Sequence, residues 1–364
     1  MWFSRNKKPI YKYSYGFQNW YQSAKKECNK TRNNLGFFDL TPFVKFDLYG
    51  KNSHDQLQYL CANNIKNIEG RTTYTQMLNP SGGIEADLTV SCLKENYFMI
   101  ICPALARSHN RSHILKNLTQ DVKFKDVTDE FSCIGIFGPN SRKFLTFIFG
   151  DFFSKENFPF SRGKYLNVFN TKVWFQRLSF IGELGWEIYI PIKKTNFIFD
   201  KINKLGKKFN LTYAGMHTLD ILRLEKKFLH WGHDITSENN PFEAGLSFAV
   251  NFKKDSDFIG RRVLEKIKDI ELQKKLELFS LKNNFQPGKP LLLHDEPIFY
   301  NGKIVGSTTS SNYSFCYKKN ICLAYISEEI KSYEGLFIEV EGIKYSLNHE
   351  KLAIHDPQSL KLRN

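Results

Sequence analysis

The sequence predicts an α+β fold of two ferredoxin-like α+β lobes followed by a C-terminal all-β unit. Strand-like and helix-like segments alternate in two successive rounds, from about residue 37 to about residue 207. Each round contains a hairpin, which is typical of ferredoxin-like units with antiparallel sheets. Short strands separated by Gly, Asn and Pro follow, and they indicate a small antiparallel β-barrel or sandwich. We place the boundary near residue 272, which gives domains of residues 1–271 and 272–364.

The first round opens with the alternating stretch FVKFDL, which predicts a half-buried strand over residues 43–48. Ser53 is a typical helix cap and predicts a helix over residues 53–60. The turn NPSGG separates the two arms of a hairpin. The remaining elements of this round are hairpin strands at 74–78 and 84–93, a strand at 97–102 and a helix at 104–118.

The second round repeats this order, and the barrel or sandwich follows it. Its elements are strands at 133–137, 173–178 and 186–192 and helices at 141–147 and 196–207. We also expect a helix over 216–228 and a polar helix over 255–275. The predicted strands of the last unit are 276–281, 298–300, 303–309, 321–326, 337–340 and 344–347.

Charge and composition exclude several classes of protein. The net charge is +15, but the lysines are scattered and no reading motif accompanies them, so we expect no nucleic-acid partner. The longest apolar run, residues 97–106, is too short to span a bilayer, and no apolar stretch follows the basic N-terminus. Seven cysteines without CxxC pairs suit a reducing compartment. We expect a cytoplasmic protein with no membrane partner.

Common catalytic motifs are absent from the sequence. No GxSxG elbow, Walker A loop or GxGxxG follows a predicted strand, so the sequence predicts no FAD or NAD site of this kind. His109 and His113 are spaced four apart without the glutamate of HExxH. His230, His233 and Asp234 could cluster, but a zinc site needs three ligands in fixed geometry. We therefore expect no metal site.

Two carboxylates are better candidates for chemistry. Asp87 lies in GGIEADLTV, on the strand face opposite Ile84, Ala86 and Leu88, where it could also satisfy turn amides. Glu187 follows GELGW in what we interpret as the equivalent place of the second round. Its apolar neighbours mean that the ionised side chain needs a partner, such as the paired N–H donors of a heterocycle.

Three long stretches resemble the folate-binding aminomethyltransferase family. They are GGIEADLTV, RLSFIGELGWEIYIP and the segment from LDILRLEKKFLHWGHDIT to FIGRRVL. This family contains the T-protein of the glycine cleavage system and the C-terminal halves of dimethylglycine and sarcosine dehydrogenases. LEKKFLHWGHD is similar to the dehydrogenase halves, whereas T-proteins typically read LEAGL and YGND. The chain looks like such a folate half without its FAD domain.

The resemblance implies a three-lobed ring, with tetrahydrofolate in its central opening. It implies that Asp87 acts as general base or stabilises the cationic intermediate, and that Glu187 grips the pterin. Phe43, Phe248 and Tyr74 stand at positions that contact the pterin in relatives. Phe180 replaces the Tyr that flavin-linked relatives commonly have before x-G-E, which removes a hydroxyl able to help proton transfer.

The expected activity is a tetrahydrofolate-dependent one-carbon transfer. The chain would accept the iminium carbon of an oxidised N-methyl amine, of sarcosine or dimethylglycine type, and form 5,10-methylenetetrahydrofolate. The partner would be a separate FAD-dependent dehydrogenase subunit, docked through residues 2–20, which are rich in aromatics. One alternative is a glycine cleavage T-protein acting with a lipoyl carrier protein. The other is a folate-binding protein without turnover.

Overall fold

The strands form three sheets in the computed structural model, which describes residues 10–12, 14–283 and 285–364. A helix, α1 (Tyr21–Asn33), and a short strand, β1 (Gly36–Asp39), precede the first predicted element. We refer to the three units built on these sheets as the first lobe, the second lobe and the barrel.

The first lobe is a five-stranded sheet with two helices on one face. Its strands are β2 (Val44–Tyr49), β3 (Thr72–Leu78), β4 (Ile84–Lys94), β5 (Tyr97–Cys102) and β6 (Lys123–Asp126), and its helices are α2 (Ser53–Leu60) and α3 (Arg107–Lys116). The strand order across the sheet is β3-β4-β5-β2-β6.

The second lobe repeats this plan with six strands. Its strands are β1, β7 (Phe131–Phe137), β8 (Gly163–Val168), β9 (Thr171–Gln176), β10 (Gly185–Pro191) and β11 (Thr212–Ala214), and its helices are α4 (Ser141–Phe149) and α5 (Thr195–Gly206). The order is β11-β1-β7-β10-β9-β8. The two sheets therefore follow one ferredoxin-like order, except that β1 lies between β7 and β11 and pairs in parallel with β11.

The C-terminal unit is a closed barrel, so of the two architectures left open the barrel is confirmed. Its strands are β12 (Lys274–Leu281), β13 (Pro297–Tyr300), β14 (Lys303–Ser314), β15 (Lys319–Ser327), β16 (Phe337–Val340) and β17 (Ile343–Glu350). The closed order is β12-β15-β14-β13-β16-β17. The helices α6 (Met216–Glu225) and α7 (Arg261–Ile267) precede the barrel, and α8 (Leu360–Arg363) follows it.

The predicted polar helix over 255–275 is wrong in extent, since only α7 forms within it. Gly260 has a φ of 85°, which interrupts a right-handed helix, and from Lys274 onward the chain belongs to β12. Helix α1 was missed because Glu27 and Arg32 lie on its buried side, so it lacks an ordinary apolar stripe. Within the described ranges, no helix combines the length and apolar character needed to cross a bilayer.

Both lobes place their helices on the outer face and turn the more polar sheet face inward. In the first lobe, Ala86, Leu88 and Val90 of β4 pack with Leu57 and Ile114 of the outer helices. Since neighbouring strand residues point to opposite faces, Asp87, Thr89 and Ser91 lie on the inner face. The second lobe has the same arrangement, with Ile188 and Ile190 packed outward beneath α4 and α5.

The inner faces meet the barrel in one apolar cluster, which we call the central cluster. It contains buried side chains from every unit, among them Trp20, Phe38, Met99, Tyr189 and Tyr313. Burial of this size is the main favourable contribution to holding the lobes together.

A buried ion network around Arg32 joins the same units. The Arg32 guanidinium donates to Glu225 Oε2 at 2.8 and 3.0 Å, to Glu183 Oε1 at 3.2 Å and to the carbonyls of Ile181 and Leu222. Arg32 lies on α1, Glu225 on α6, and Glu183 in the loop before β10. All three side chains are almost fully buried.

The network extends into the barrel and the C-terminal segment. Ser314, at the end of β14, donates to the second oxygen of Glu225 at 2.7 Å. His355 Nε2 lies 2.8 Å from Glu183 Oε1, and the His355 Nδ1 contacts the Tyr317 hydroxyl at 2.9 Å. One guanidinium therefore fixes parts of the first 35 residues, the second lobe and the barrel relative to one another.

We predict that Arg32→Met lowers the free energy of unfolding by on the order of 3–5 kcal/mol, because two buried carboxylates lose their counter-charge. Urea denaturation followed by circular dichroism measures the change. The matched control is Arg107→Met, whose half-exposed side chain pairs with Asp126 and Asp129 on the surface. That control should cost less than about 1 kcal/mol. Equal losses for the two variants would contradict the assignment of Arg32 as the central tie.

Candidate functional site

Asp87 lies on the inner face of β4, directly opposite Gln76 of β3. Gln76 Nε2 donates to Asp87 Oδ1 at 2.8 Å. Tyr74, two residues earlier on β3, also hydrogen-bonds the Asp87 carboxyl group. The predicted catalytic carboxylate is thus held at the inner face of the first lobe by two neighbours on one strand.

Burial raises the pKa of Asp87 to about 6, and the hydrogen bonds from Tyr74 and Gln76 only partly oppose this effect. Among the described residues, no cationic side chain contributes to this pKa. A carboxylate that is half-buried without a counter-charge is costly for the fold, and such groups cluster at functional sites. With this pKa, Asp87 can exchange a proton near neutral pH.

The second polar atom of Gln76 is an unused acceptor beside Asp87. Gln76 is fully buried, and its Oε1 has no hydrogen-bond partner within the described part of the chain. Buried acceptors are normally satisfied. The Asp87 carboxylate and the enclosed Gln76 amide oxygen together leave this part of the inner face rich in acceptors.

Tyr74 and Phe248 form an aromatic wall next to Asp87. Their ring centroids lie 6.0 Å apart with an interplanar angle of 23°. Phe248 sits in the short turn Ser247–Ala249 and is 71 % exposed, which is unusual for phenylalanine without a role at a surface. The structure therefore brings together three of the six predicted site residues.

Glu187 lies on β10 of the second lobe, opposite Gln176 of β9. Its Oε2 accepts hydrogen bonds from the Tyr189 hydroxyl at 2.7 Å and from Gln176 Nε2 at 3.4 Å. Burial raises the pKa of Glu187 to about 7, and the Tyr189 hydrogen bond lowers it only in part. This carboxyl group also lacks a cationic partner, as expected for a group that awaits a donor from a ligand.

Gln176 connects the two carboxylate-bearing sheets. Its Oε1 accepts from Ser91 Oγ at 2.5 Å and from Trp174 Nε1 at 3.3 Å. Ser91 lies on the same face of β4 as Asp87, and its hydroxyl also contacts Thr72 Oγ1 at 2.9 Å. A row of hydrogen bonds therefore runs from the first lobe to Glu187, and it fixes the two inner faces in register.

Asp87 and Glu187 do not occupy equivalent places, contrary to our interpretation of the sequence. In the first lobe β4 lies next to the edge strand β3, and in the second lobe β9 lies next to the edge strand β8. By sheet order, β4 therefore corresponds to β9. Glu187 is on β10, one strand further in, and β9 carries Gln176. The glycine-containing turn motifs before the two strands are similar in sequence, but a long loop precedes β10, whereas a tight hairpin turn precedes β4.

Phe43, just before β2, and Phe180, in the loop before β10, both lie at the central cluster. Both are half-buried and pack against that cluster. The Phe180 ring is 6.2 Å from that of Phe228, at an angle of 23°. The six predicted residues thus form two groups, one at Asp87 and one around the central cluster, joined through Gln176 and Ser91.

Sequence reasoning missed the neutral partners Gln76, Gln176 and Tyr189. Gln76 could have been found, because counting back from the NPSGG turn places it opposite Asp87 in the hairpin. Tyr189 follows Glu187 by two residues and so shares its strand face. Gln176 carried no comparable signal, since the loop between β9 and β10 leaves their register open.

The histidines considered as metal ligands have other contacts. His109 Nε2 lies 2.9 Å from Glu85 Oε1 and its ring lies against Trp231. Asp234, next to His233, is held by the Arg223 guanidinium. In the residues that the structure describes, no group of three His, Cys, Asp or Glu side chains has the arrangement of a metal site.

Two cavities lie away from the predicted site residues. One, of about 550 Å³, lies where the lobes join and is lined by Glu69, Gly70, Arg162 and Lys164 among others. The other, of about 260 Å³, lies between β1, β11 and α5. None of the six predicted site residues lines either cavity.

Comparison with known proteins identifies relatives of two kinds. The chain is 31% identical over 360 residues to the mitochondrial dimethylglycine dehydrogenase of Rattus norvegicus, a match that covers 97% of this chain and 41% of that protein. It is 28% identical over 337 residues to an aminomethyltransferase of Pseudothermotoga lettingae, covering 92% of this chain and 90% of the relative. The chain therefore spans about two fifths of the first relative and nearly all of the second.

Comparison of the fold with solved structures and of the sequence with family models gives the same result. The crystal structure of the glycine cleavage system aminomethyltransferase T from Bartonella henselae matches with a TM-score of 0.83 at 20% identity, covering 96% of this chain and 94% of that one. The family models "GCVT N-terminal domain" and "Glycine cleavage T-protein C-terminal barrel domain" match residues 1–254 and 275–352. The chain belongs to the folate-dependent aminomethyltransferase family of the glycine cleavage T-protein.

Proposed function

We propose that this protein transfers the iminium carbon of an oxidised N-methyl amine, of sarcosine or dimethylglycine type, to tetrahydrofolate. The product would be 5,10-methylenetetrahydrofolate. The observation that supports this most is Asp87, a half-buried carboxyl group with a pKa of about 6 beside an unpaired acceptor and an aromatic wall. Identity of 31% to dimethylglycine dehydrogenase over 97% of this chain favours a methylated amine as the carbon source.

Glu187 would bind the pterin. Its carboxylate accepts from Tyr189 through one oxygen and leaves the other free for a ligand donor. A charged acceptor makes a stronger hydrogen bond than a neutral one, particularly where water is excluded. The half-buried rings of Phe43 and Phe180 on the central cluster would pack against the ring system.

Asp87 would manage the proton that the reaction releases. Attack of a folate nitrogen on the iminium carbon releases a proton, and the amine takes up a proton as it departs. Closure then releases a second proton from the other folate nitrogen. A carboxylate with a pKa near 6 can accept the first proton, return it to the departing amine and then accept the proton released on closure. The same negative charge stabilises a cationic carbon before closure. Phe180 supplies no hydroxyl, so Asp87 and Tyr74 would carry the proton transfer without help from that position.

The partner would be a separate FAD-dependent dehydrogenase. An iminium hydrolyses in water, so it must reach the folate site from an adjoining cavity. Part of the aromatic segment assigned to docking, residues 2–9 and 13, lies outside the described residues. Trp20 is buried and stacks on His217 at 3.9 Å, so it serves this chain's own packing. Tyr15 and Phe17 remain exposed, at 86% and 49%, and are available for a partner.

We also propose a domain boundary near residue 272 and a cytoplasmic location for the protein. The family matches end at residue 254 and begin again at 275, and β12 begins at Lys274, which supports that boundary. The barrel does not pack alone, because Leu276 and Leu278 share a cluster with Leu78 and Leu224. The unit of function would therefore be the whole chain.

A glycine cleavage T-protein, working with a lipoyl carrier protein, is the second candidate. It is favoured by the aminomethyltransferase of Pseudothermotoga lettingae, because that match covers 90% of the relative rather than a part of it. The two candidates share the folate site and differ in the carbon donor, so the donor decides between them. A folate-binding protein without turnover is the third possibility that the experiments below address.

Tetrahydrofolate should bind with micromolar affinity, about −8 kcal/mol, and Glu187→Gln should weaken binding by on the order of 1.5–3 kcal/mol. The affinity of the native protein should also fall as the pH drops below about 7, because a protonated Glu187 loses the negative charge that strengthens its hydrogen bonds from the pterin. Calorimetry under anaerobic conditions measures both effects, with Glu69→Gln as the control. A folded protein that binds no folate, or a Glu187→Gln variant with unchanged affinity and pH dependence, would contradict the assignment.

Asp87→Asn should leave folate affinity within about fivefold and lower carbon transfer by about 10²-fold or more, the usual effect of losing a general base. Transfer by the native protein should rise with pH through about 6, since only the ionised carboxylate accepts a proton, and the variant should lose that step. Asp47→Asn is a matched control, because burial raises the pKa of Asp47 also to about 6, away from the six predicted residues. An unchanged rate in Asp87→Asn would transfer the role to another residue, with Glu85 next in line.

The carbon donor should be an iminium from a flavoprotein. We expect methylenetetrahydrofolate to form when the purified chain is mixed with an FAD-dependent dehydrogenase turning over sarcosine or dimethylglycine. We also expect flavin absorbance to co-purify with the chain from its native source. Product formed only from aminomethyl-lipoyl carrier protein would establish the T-protein alternative instead, and folate binding without product from either donor would indicate a non-catalytic role.

A further inference from the structure

The outer face of the second lobe carries a stripe of lysines on one helix. Phe197, Lys201, Lys204 and Lys208 follow one another at intervals of four, three and four residues, along α5 and the turn after it. Residues at these spacings lie on one side of a helix. The opposite side of α5 is buried against the sheet through Ile198 and Ile202. All four residues of the stripe are exposed.

The charge around this stripe is strongly one-sided. Residues 192–208, which include α5, contain six Lys and a single acidic residue, Asp200, a net charge of +5. The exposed Lys143, one turn before Phe147 on α4, adds a further positive charge. Within the described residues, none of the three lysines of the stripe forms an ion pair.

Phenylalanines project between these lysines. Phe147, Phe169 and Phe197 are 50%, 36% and 48% exposed. Phe169 and Phe197 are neighbours, with ring centroids 6.1 Å apart. Lys201 Nζ lies 5.5 Å from the Phe197 ring, and Lys208 Nζ lies 5.7 Å from the Phe147 ring. Exposed aromatic rings cost free energy in water, and several on one face indicate a surface that is covered in use.

We propose that this face, formed by α4, α5 and the turn between β8 and β9, docks on an anionic lipid surface. Lysines that reach phosphate headgroups, with phenylalanines that enter the boundary of the acyl chains, are the chemistry by which proteins bind such surfaces without crossing them. No membrane partner was expected from the sequence, because these lysines come together on one side only in the folded chain. The proposal does not depend on the proposed folate activity.

Other occupants fit this face less well. A second copy of the chain would bring one strongly positive face against another, so self-association through it is unfavourable. The side chains project outward from helices and a turn and do not line a groove, whereas single-stranded nucleic acid is bound in grooves with stacking platforms. A bilayer needs no complementary shape. Since α4 and α5 cover the side of the sheet opposite Glu187, docking there leaves the inner face free.

The test is flotation of the full chain with vesicles of phosphatidylcholine, with and without phosphatidylglycerol. We expect binding only to the anionic vesicles, and release as salt is raised. Lys201→Gln with Lys204→Gln should weaken binding tenfold or more, since each lysine near such a surface contributes roughly a fivefold effect. Lys25→Gln with Lys26→Gln, on the exposed side of α1, removes the same charge elsewhere and should change binding little.

Phe197→Ala separates a lipid surface from a polyanion. It should weaken vesicle binding several-fold, whereas Leu105→Ala, which removes a more exposed apolar side chain elsewhere, should not. Circular dichroism shows that each variant is folded. Binding to neither kind of vesicle, equal binding to both, or equal losses for the two lysine pairs would overturn the proposal. So would tighter binding to single-stranded RNA that needs Lys201 and Lys204 but not Phe197.

Discussion

The fold depends on a single buried guanidinium. Arg32 comes from α1, before either lobe begins, and it neutralises Glu225 and Glu183, which belong to other units. Buried ion pairs contribute little net stability compared with apolar packing, because both charges must first leave water. The ion pairs instead specify a single arrangement of the three units, because the carboxylates are satisfied in that arrangement alone. The inner faces that carry Asp87 and Glu187 therefore meet in one relative position.

That fixed position keeps two carboxyl groups half-buried without a counter-charge. Burial raises the pKa of Asp87 to about 6 and that of Glu187 to about 7, and the remaining interactions at each come from neutral donors. A softer junction would let more water or a lysine reach them and return their pKa values to the ordinary range. The stability lost at these two sites is compensated by apolar packing in the central cluster. The two candidate site carboxylates and the residues that stabilise the junction of the three units are thus separate sets of residues.

Much of the fold could be predicted because local signals agree with it. The alternating pattern of β2 and the NPSGG hairpin each specify their element without help from the rest of the chain. Helix α2 forms over the predicted residues, but Ser53 is not its cap, because Asn52 stands at the N-cap and the Ser53 hydroxyl donates to the Asn96 carbonyl. Elements whose stability comes from distant contacts were missed. Helix α1 buries Glu27 and Arg32 rather than an apolar stripe, and β1 forms by insertion between β7 and β11. The site shows the same division, since its carboxylates stand in long recognisable motifs whereas Gln176 is defined only by the pairing of β9 with β10.

The hydrogen bonds that join the lobes have a direction. Gln176 Oε1 accepts from Ser91 and Trp174, so its amide nitrogen must point the other way, toward Glu187. Tyr189 likewise donates to Glu187. Every neighbour in the row donates a hydrogen, and the ionised Glu187 at its end can only accept. Any further partner of the ionised carboxylate must therefore donate a hydrogen as well, a requirement that the orientation of the Gln176 amide imposes.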